Sequence, residues 1–170
     1  MNEKGTESPS LLSIFEIMIT KDSILRVVEE YTNDHELFVV EVLVKKDNRV
    51  TVFIDSLKGL QIDDCIMLTK HLEEKFDREV EDYSLEVSSP GLDYPLILPL
   101  QFQKNIDREL VIFLTKGAPI SGVLKSFDAE SLNIEMEKIT KEGKKKIKGL
   151  VTENIPLSTI KQAKVKVVFK

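Results

Sequence analysis

Ile24, Val27, Val28 and Tyr31 fall at i, i+3, i+4 and i+7, which places them on one face of a helix. Thr20 or Asp22 is placed to cap its start, and Asn33-Asp34 to end it. The period then shortens to two. Phe38, Val40, Val42 and Val44 alternate with Val39, Glu41 and Leu43, and after the polar run 45–49 the alternation resumes at Val50, Val52 and Ile54. This pattern predicts a β-hairpin with a moderately long loop. A connector, Ser56-Leu57-Lys58-Gly59, leads to a second helix beginning near Gln61. Asp63 and Asp64 sit in its first turn, where the helix dipole favours negative charge. Its stripe is Cys65, Leu68, Leu72 and Phe76. A strand over 83–87 completes an α-β-β-α-β unit. A three-stranded sheet with both helices on one face buries both stripes in a single core.

The pattern breaks at Val87-Ser88-Ser89-Pro90-Gly91-Leu92-Asp93-Tyr94-Pro95-Leu96. Pro90 fixes its own φ and lacks a donor, and Gly91 has access to φ > 0 at no steric cost. The stretch reads as a joint between two domains, with Ser88, Ser89, Pro90, Gly91, Leu92 and Asp93 at its centre. Short strands follow at 110–114, 120–127 and 132–136, then a basic loop over 141–148 and a strand opening at Leu150-Val151. Pro156 bars a central strand position, so 155–160 reads as a tight turn. A last strand covers 164–167. Five short strands with almost no helix predict a small barrel that removes its own edges. The organisation is thus α+β: a tail over 1–16, an α/β domain over 17–91 and a β-barrel domain over 92–170.

Charge sharpens this division. Through Gly91 there are 10 Lys and Arg against 20 Asp and Glu; after it there are 14 against 9. An acidic half joined to a basic half points to a charged partner. The basic half suits phosphate, and the acidic half suits a basic protein. One cysteine, Cys65, excludes an internal disulfide and fits a reducing compartment. No run approaches the ~18 uncharged apolar residues that a membrane helix needs. Glu16 interrupts the apolar stretch 11–19 and no cleavage pattern follows it. Cytoplasm is the expected compartment.

Candidate chemistry is sparse. There is no Gly-rich phosphate loop. His35, Cys65 and His71 lack metal-ligand spacing, so neither a metal nor a cofactor is expected. Ser88 and Ser89 are the candidate nucleophiles, but they lack the flanking glycines and the following helix of a nucleophile elbow. Their plainer role is to bond backbone groups and hold a bend. The lysines of the basic loop, Lys144, Lys145, Lys146 and Lys148, are the candidate nucleic-acid contacts; a solvated hairpin is the bland alternative. Four phosphate contacts correspond to a log–log salt slope of about −3 to −4.

The segment 83–93, followed by Pro95-Leu96, resembles the central signature of the bacterial ribosome maturation factor RimP family. Val52-Phe53-Ile54-Asp55, Gly59 and Asp63-Asp64-Cys65 match a second time, and the ending 155–163 matches a third. The resemblance spans about residues 17–168. There are departures. Tyr94 stands where the family usually has arginine, Gln61 replaces a Ser or Thr cap, and 104–108 lacks a usual glycine, which predicts a different turn there.

The resemblance implies an α/β N-terminal domain and an SH3-like (Sm-like) C-terminal barrel. It implies a non-enzyme; no membrane and no small-molecule substrate are expected, and a monomer is the simplest expectation. Its partner would be a small ribosomal subunit precursor, through ribosomal RNA and a small-subunit protein, number twelve. A general Sm-like RNA-binding adaptor acting outside the ribosome is the alternative.

Overall fold

The computed structural model describes residues 18–167. The tail expected over 1–16 lies outside them. The chain divides into two compact units between Ser89 and Pro90.

In the first unit, α1 (Lys21–Asp34) starts at Thr20, whose hydroxyl accepts the Ser23 N–H at 3.1 Å while the Ser23 hydroxyl accepts the Thr20 N–H at 3.0 Å. This reciprocal capping box satisfies two N-terminal donors that the helix cannot use itself. Strand β1 (Phe38–Val44) runs antiparallel to β2 (Arg49–Asp55), and β3 (Ser84–Ser88) lies parallel to β2. The crossover between β2 and β3 is α2 (Ile62–Lys75). Gln61 supplies no hydroxyl for the α2 cap, so the remaining half of the box comes from Asp64, which accepts the Gln61 N–H at 2.8 Å.

Val42, Val50, Val52 and Ile54 of the sheet meet Ile24 and Val28 of α1 and Leu68 and Leu72 of α2 in one core, so both helices cover the same sheet face. The alternation expected in β1 is broken. A bulge between Val39 and Glu41 sets Val39 opposite Ile54 and Val42 opposite Val52. The extra residue flips the pleat, so Val39 rather than Phe38 packs on the core. Asn48 closes the β1–β2 loop at φ 53°, a left-handed conformation that asparagine tolerates. Its amide donates to Glu81 at 3.0 Å and to the Asp82 carbonyl at 3.2 Å. Glu81 also accepts the N–H of Ile19, the buried end of the apolar stretch 11–19.

The second unit opens with a short helix that the hydropathy pattern does not predict, α3 (Pro99–Lys104). Pro99 suits the first helical position because its missing N–H would go unpaired there in any case. The buried Gln101 carboxamide accepts the N–H groups of Ile97 and Leu98 at 2.8 and 2.9 Å. Just beyond, Asp107 takes φ 68° where the glycine is missing, and its N–H donates to the Leu124 carbonyl at 2.7 Å.

Five antiparallel strands follow: β4 (Glu109–Leu114), β5 (Ile120–Phe127), β6 (Ser131–Glu142), β7 (Lys145–Pro156) and β8 (Ile160–Val165). Leu110, Ile112, Leu124, Leu132, Ile134, Ile155 and Ala163 form the core. The strand order is β7-β6-β5-β4-β8. This corrects the expectation of a ladder without edges: among the described residues β7 and β8 are not paired, and both are edges. Pro156 has no N–H to extend β7, and the single turn Leu157–Thr159 carries the chain directly to β8 beside β4.

Two boundaries also move. The strand expected at 164–167 already begins at Ile160. The basic loop expected over 141–148 is nearly all strand, with only Gly143 and Lys144 in the turn. Hydrophobic alternation marks a strand only where one face is buried, and here neither face is.

Candidate nucleic-acid interface

Strands β6 and β7 pair without interruption from Ser131↔Pro156 to Glu142↔Lys145. Residues 131–136 cover the core, but 137–142 and 145–150 are all exposed. At about 3.4 Å per residue, this two-stranded arm runs about 20 Å past the last core-covering pair, Met136↔Val151. Gly143, at φ 64°, makes its tight tip possible.

Directly opposed residues in an antiparallel pair share a face. The ladder therefore sorts the arm into two faces. One carries Glu137 and Leu150, then Ile139 and Lys148, then Lys141 and Lys146. The other carries Lys138 and Gly149, then Thr140 and Ile147, then Glu142 and Lys145. The four lysines singled out in the sequence thus do not act as one cluster. Lys146 and Lys148 share a face with Lys141, Lys145 stands opposite Glu142 on the other, and Lys144 occupies the turn. On that second face Lys138 is committed to an ion pair, its ammonium lying 3.0 Å from the Glu153 carboxylate.

The joint residues are arranged differently. Ser88 ends β3 opposite Phe53 and is half-buried, while Ser89 is exposed. Pro90 is half-buried, and Gly91, Leu92 and Asp93 are exposed. The bend is held by backbone, with the Tyr94 N–H donating to the Gly91 carbonyl at 2.8 Å. Gly91 does not use the left-handed region, and a Cβ there would meet nothing within 4 Å. The two histidines lie elsewhere. Both rings pack on Tyr31, His35 stacked at 3.9 Å between centroids and His71 tilted at 5.0 Å.

Sequence spacing does not reveal that three-ring cluster, because His71 reaches Tyr31 from the other helix. Burial, with Asp64 second, pushes the Tyr31 phenol up; the same two causes push up the Cys65 thiol. Among the described residues no three His, Cys, Asp or Glu side chains gather in a group able to hold a metal ion. A cavity of about 410 Å³ in the second unit, lined by Leu96, Phe102, Phe127, Leu132 and Ile160 among others, also escapes sequence reading. Its walls come from segments far apart in the chain.

Residues 14–93 match the description of the RimP N-terminal domain. The chain is 40% identical over 148 residues to "Ribosome maturation factor RimP" of Porphyromonas gingivalis strain W83, covering 86% of this chain and 97% of that protein. The protein of the same name from Christiangramia forsetii is 32% identical over 154 residues, covering 88% and 99%.

Proposed function

The chain belongs to the ribosome maturation factor RimP family, and from that premise we propose that it is an assembly factor for the small ribosomal subunit. It binds a precursor of the subunit, favours one arrangement of ribosomal RNA and protein, and leaves. Differential affinity for two states is sufficient to shift such an equilibrium, so the mechanism needs no covalent step, cofactor or small-molecule substrate. The observation that carries this reading is identity across both units, over 86% of the chain, to a protein named for ribosome maturation.

The charge asymmetry supports a division of the contacts. The second unit, a small open barrel of the SH3-like (Sm-like) kind, presents the lysine arm to ribosomal RNA phosphate. The acidic first unit suits a basic small-subunit protein, whereas the family resemblance gives the contact with protein number twelve to the barrel. The joint around Ser88, Ser89, Pro90, Gly91, Leu92 and Asp93 links two separately folded units, and the protein works as a cytoplasmic monomer. No helix among the described residues is long and apolar enough to cross a membrane.

The test is depletion. Cells lacking the chain should accumulate small subunits with unprocessed ribosomal RNA while large subunits mature normally, and restoring the chain should reverse this. Normal small-subunit maturation in its absence would overturn the proposal.

A further inference from the structure

The arm has two faces of different electrostatic character, and that difference assigns a direction to it. On the face with Lys141, Lys146 and Lys148, the lone acid is Glu137 at the base, and it stands across from Leu150 rather than from a lysine. Charge therefore rises from base to tip. Lys141 and Lys146 are directly opposed, Lys148 follows two residues down the strand, and Ile139 and Leu150 are 57% and 67% exposed beside them. On the other face Lys138 pairs with Glu153 at 3.0 Å, and Lys145 stands directly across the ladder from Glu142.

We infer that the arm engages ribosomal RNA with one face only: Lys141, Lys146 and Lys148 contact the phosphate backbone, and Lys145 does not. This deepens the assembly reading above and rests on it. The physical basis is counterion release. The counterions released are the cations condensed on the RNA, and a lysine whose charge is offset by a carboxylate beside or across from it neutralises a phosphate less well. An uncompensated like-charged row repels itself, and an anionic backbone relieves that repulsion. Two opposed lysines with a third along one edge form a row that follows a phosphate strand. With no aromatic side chain between 137 and 150, base stacking does not contribute, so the contact reads backbone rather than sequence. The exposed Ile139 and Leu150 lie nearer the base, where they pack against sugar edges or a protein neighbour instead of phosphate.

The experiment compares two double substitutions that remove the same charge from the same element. The full chain, Lys146→Gln/Lys148→Gln and Lys138→Gln/Lys145→Gln are titrated with small subunits isolated from cells lacking the chain, over a range of KCl. All six residues involved, with their acid partners Glu142 and Glu153 included, lie outside the core, and unchanged thermal unfolding of both variants checks the fold. At about 0.7 to 0.9 per phosphate contact, the first variant should flatten the log–log salt slope by about 1.4 to 1.8, and the second should leave it unchanged. Equal flattening by both would overturn the one-faced contact while leaving the assembly reading intact. No flattening by either would remove the arm from the interface. Failure of the unmodified chain to bind small subunits would overturn the assembly reading and this inference together. Slope-dependent binding to phosphatidylserine vesicles, in place of subunits, would reassign the face to a membrane surface.

Discussion

A single glycine shapes the second core. A Cβ at Gly122 would lie 2.7 Å from the Glu135 carbonyl oxygen and closer still to the Ile134 side chain. Strand β5 approaches β6 there more tightly than any side chain permits, and the backbone oxygen has no freedom to withdraw. Gly122→Ala should therefore cost about 1 to 3 kcal/mol, read as a lowered urea midpoint. Gly91→Ala should leave stability unchanged or raise it by up to about 1 kcal/mol, since its backbone is ordinary and its surroundings are open. The sequence points the other way: Gly91 stands in an obvious break, whereas Gly122 sits inside a strand with nothing to mark the close approach. Asp128 makes a second residue-scale prediction. Its carboxylate accepts the N–H groups of Glu130 and Ser131 at 2.7 and 2.8 Å, and these bonds hold its pKa below the ordinary 3.8. A depressed folded pKa contributes stability that is full above the unfolded value and is lost as pH falls through the folded one. Asp128→Asn should narrow the difference in urea midpoint between pH 7 and pH 3; an unchanged difference would show that the turn does not depend on the charge.

Among the elements, those with a buried face were legible and those without were not. The stripes of α1 and α2 and the alternation of β2 could be read directly, because burial imposes their period. The β1 bulge was hidden, since an extra valine among valines leaves no mark in composition. Helix α3 is a single turn and a half, too short to show a period, and its buried groups are polar rather than an apolar stripe: the Gln101 side chain accepts the Ile97 and Leu98 N–H groups, and Asn105 at the C-cap donates to the Gln101 carbonyl. Within the arm, the sequence of 141–148 signals a loop because its charges mark a solvated segment, and only the ladder shows that most of it is strand. Because no core residue lies beyond position 136 on β6 or before 151 on β7, the arm is separable from folding. Replacing 139–148 by Asn-Gly, a pair that suits a two-residue hairpin turn, should change stability by no more than about 1 kcal/mol while weakening small-subunit binding. A large loss of stability in thermal unfolding would show that the arm supports the fold instead.

For the whole molecule, the acidic and basic halves of the sequence correspond to two compact units, each with its own core. That correspondence was legible because charge and hydropathic period both change at one stretch, near Pro90. The pairing of Lys138 with Glu153, and the position of Lys145 across from Glu142, were not, because a ladder register is a long-range property that no local spacing encodes. The same holds for the open edge between β7 and β8. Action on the small subunit is decided by co-sedimentation of the purified protein with free small subunits, free large subunits and assembled ribosomes at moderate salt. Selective association with free small subunits is expected, strongest for those from cells lacking the chain. Equal association with all three particles, or tight binding to bare RNA with no preference for small subunits, would contradict it.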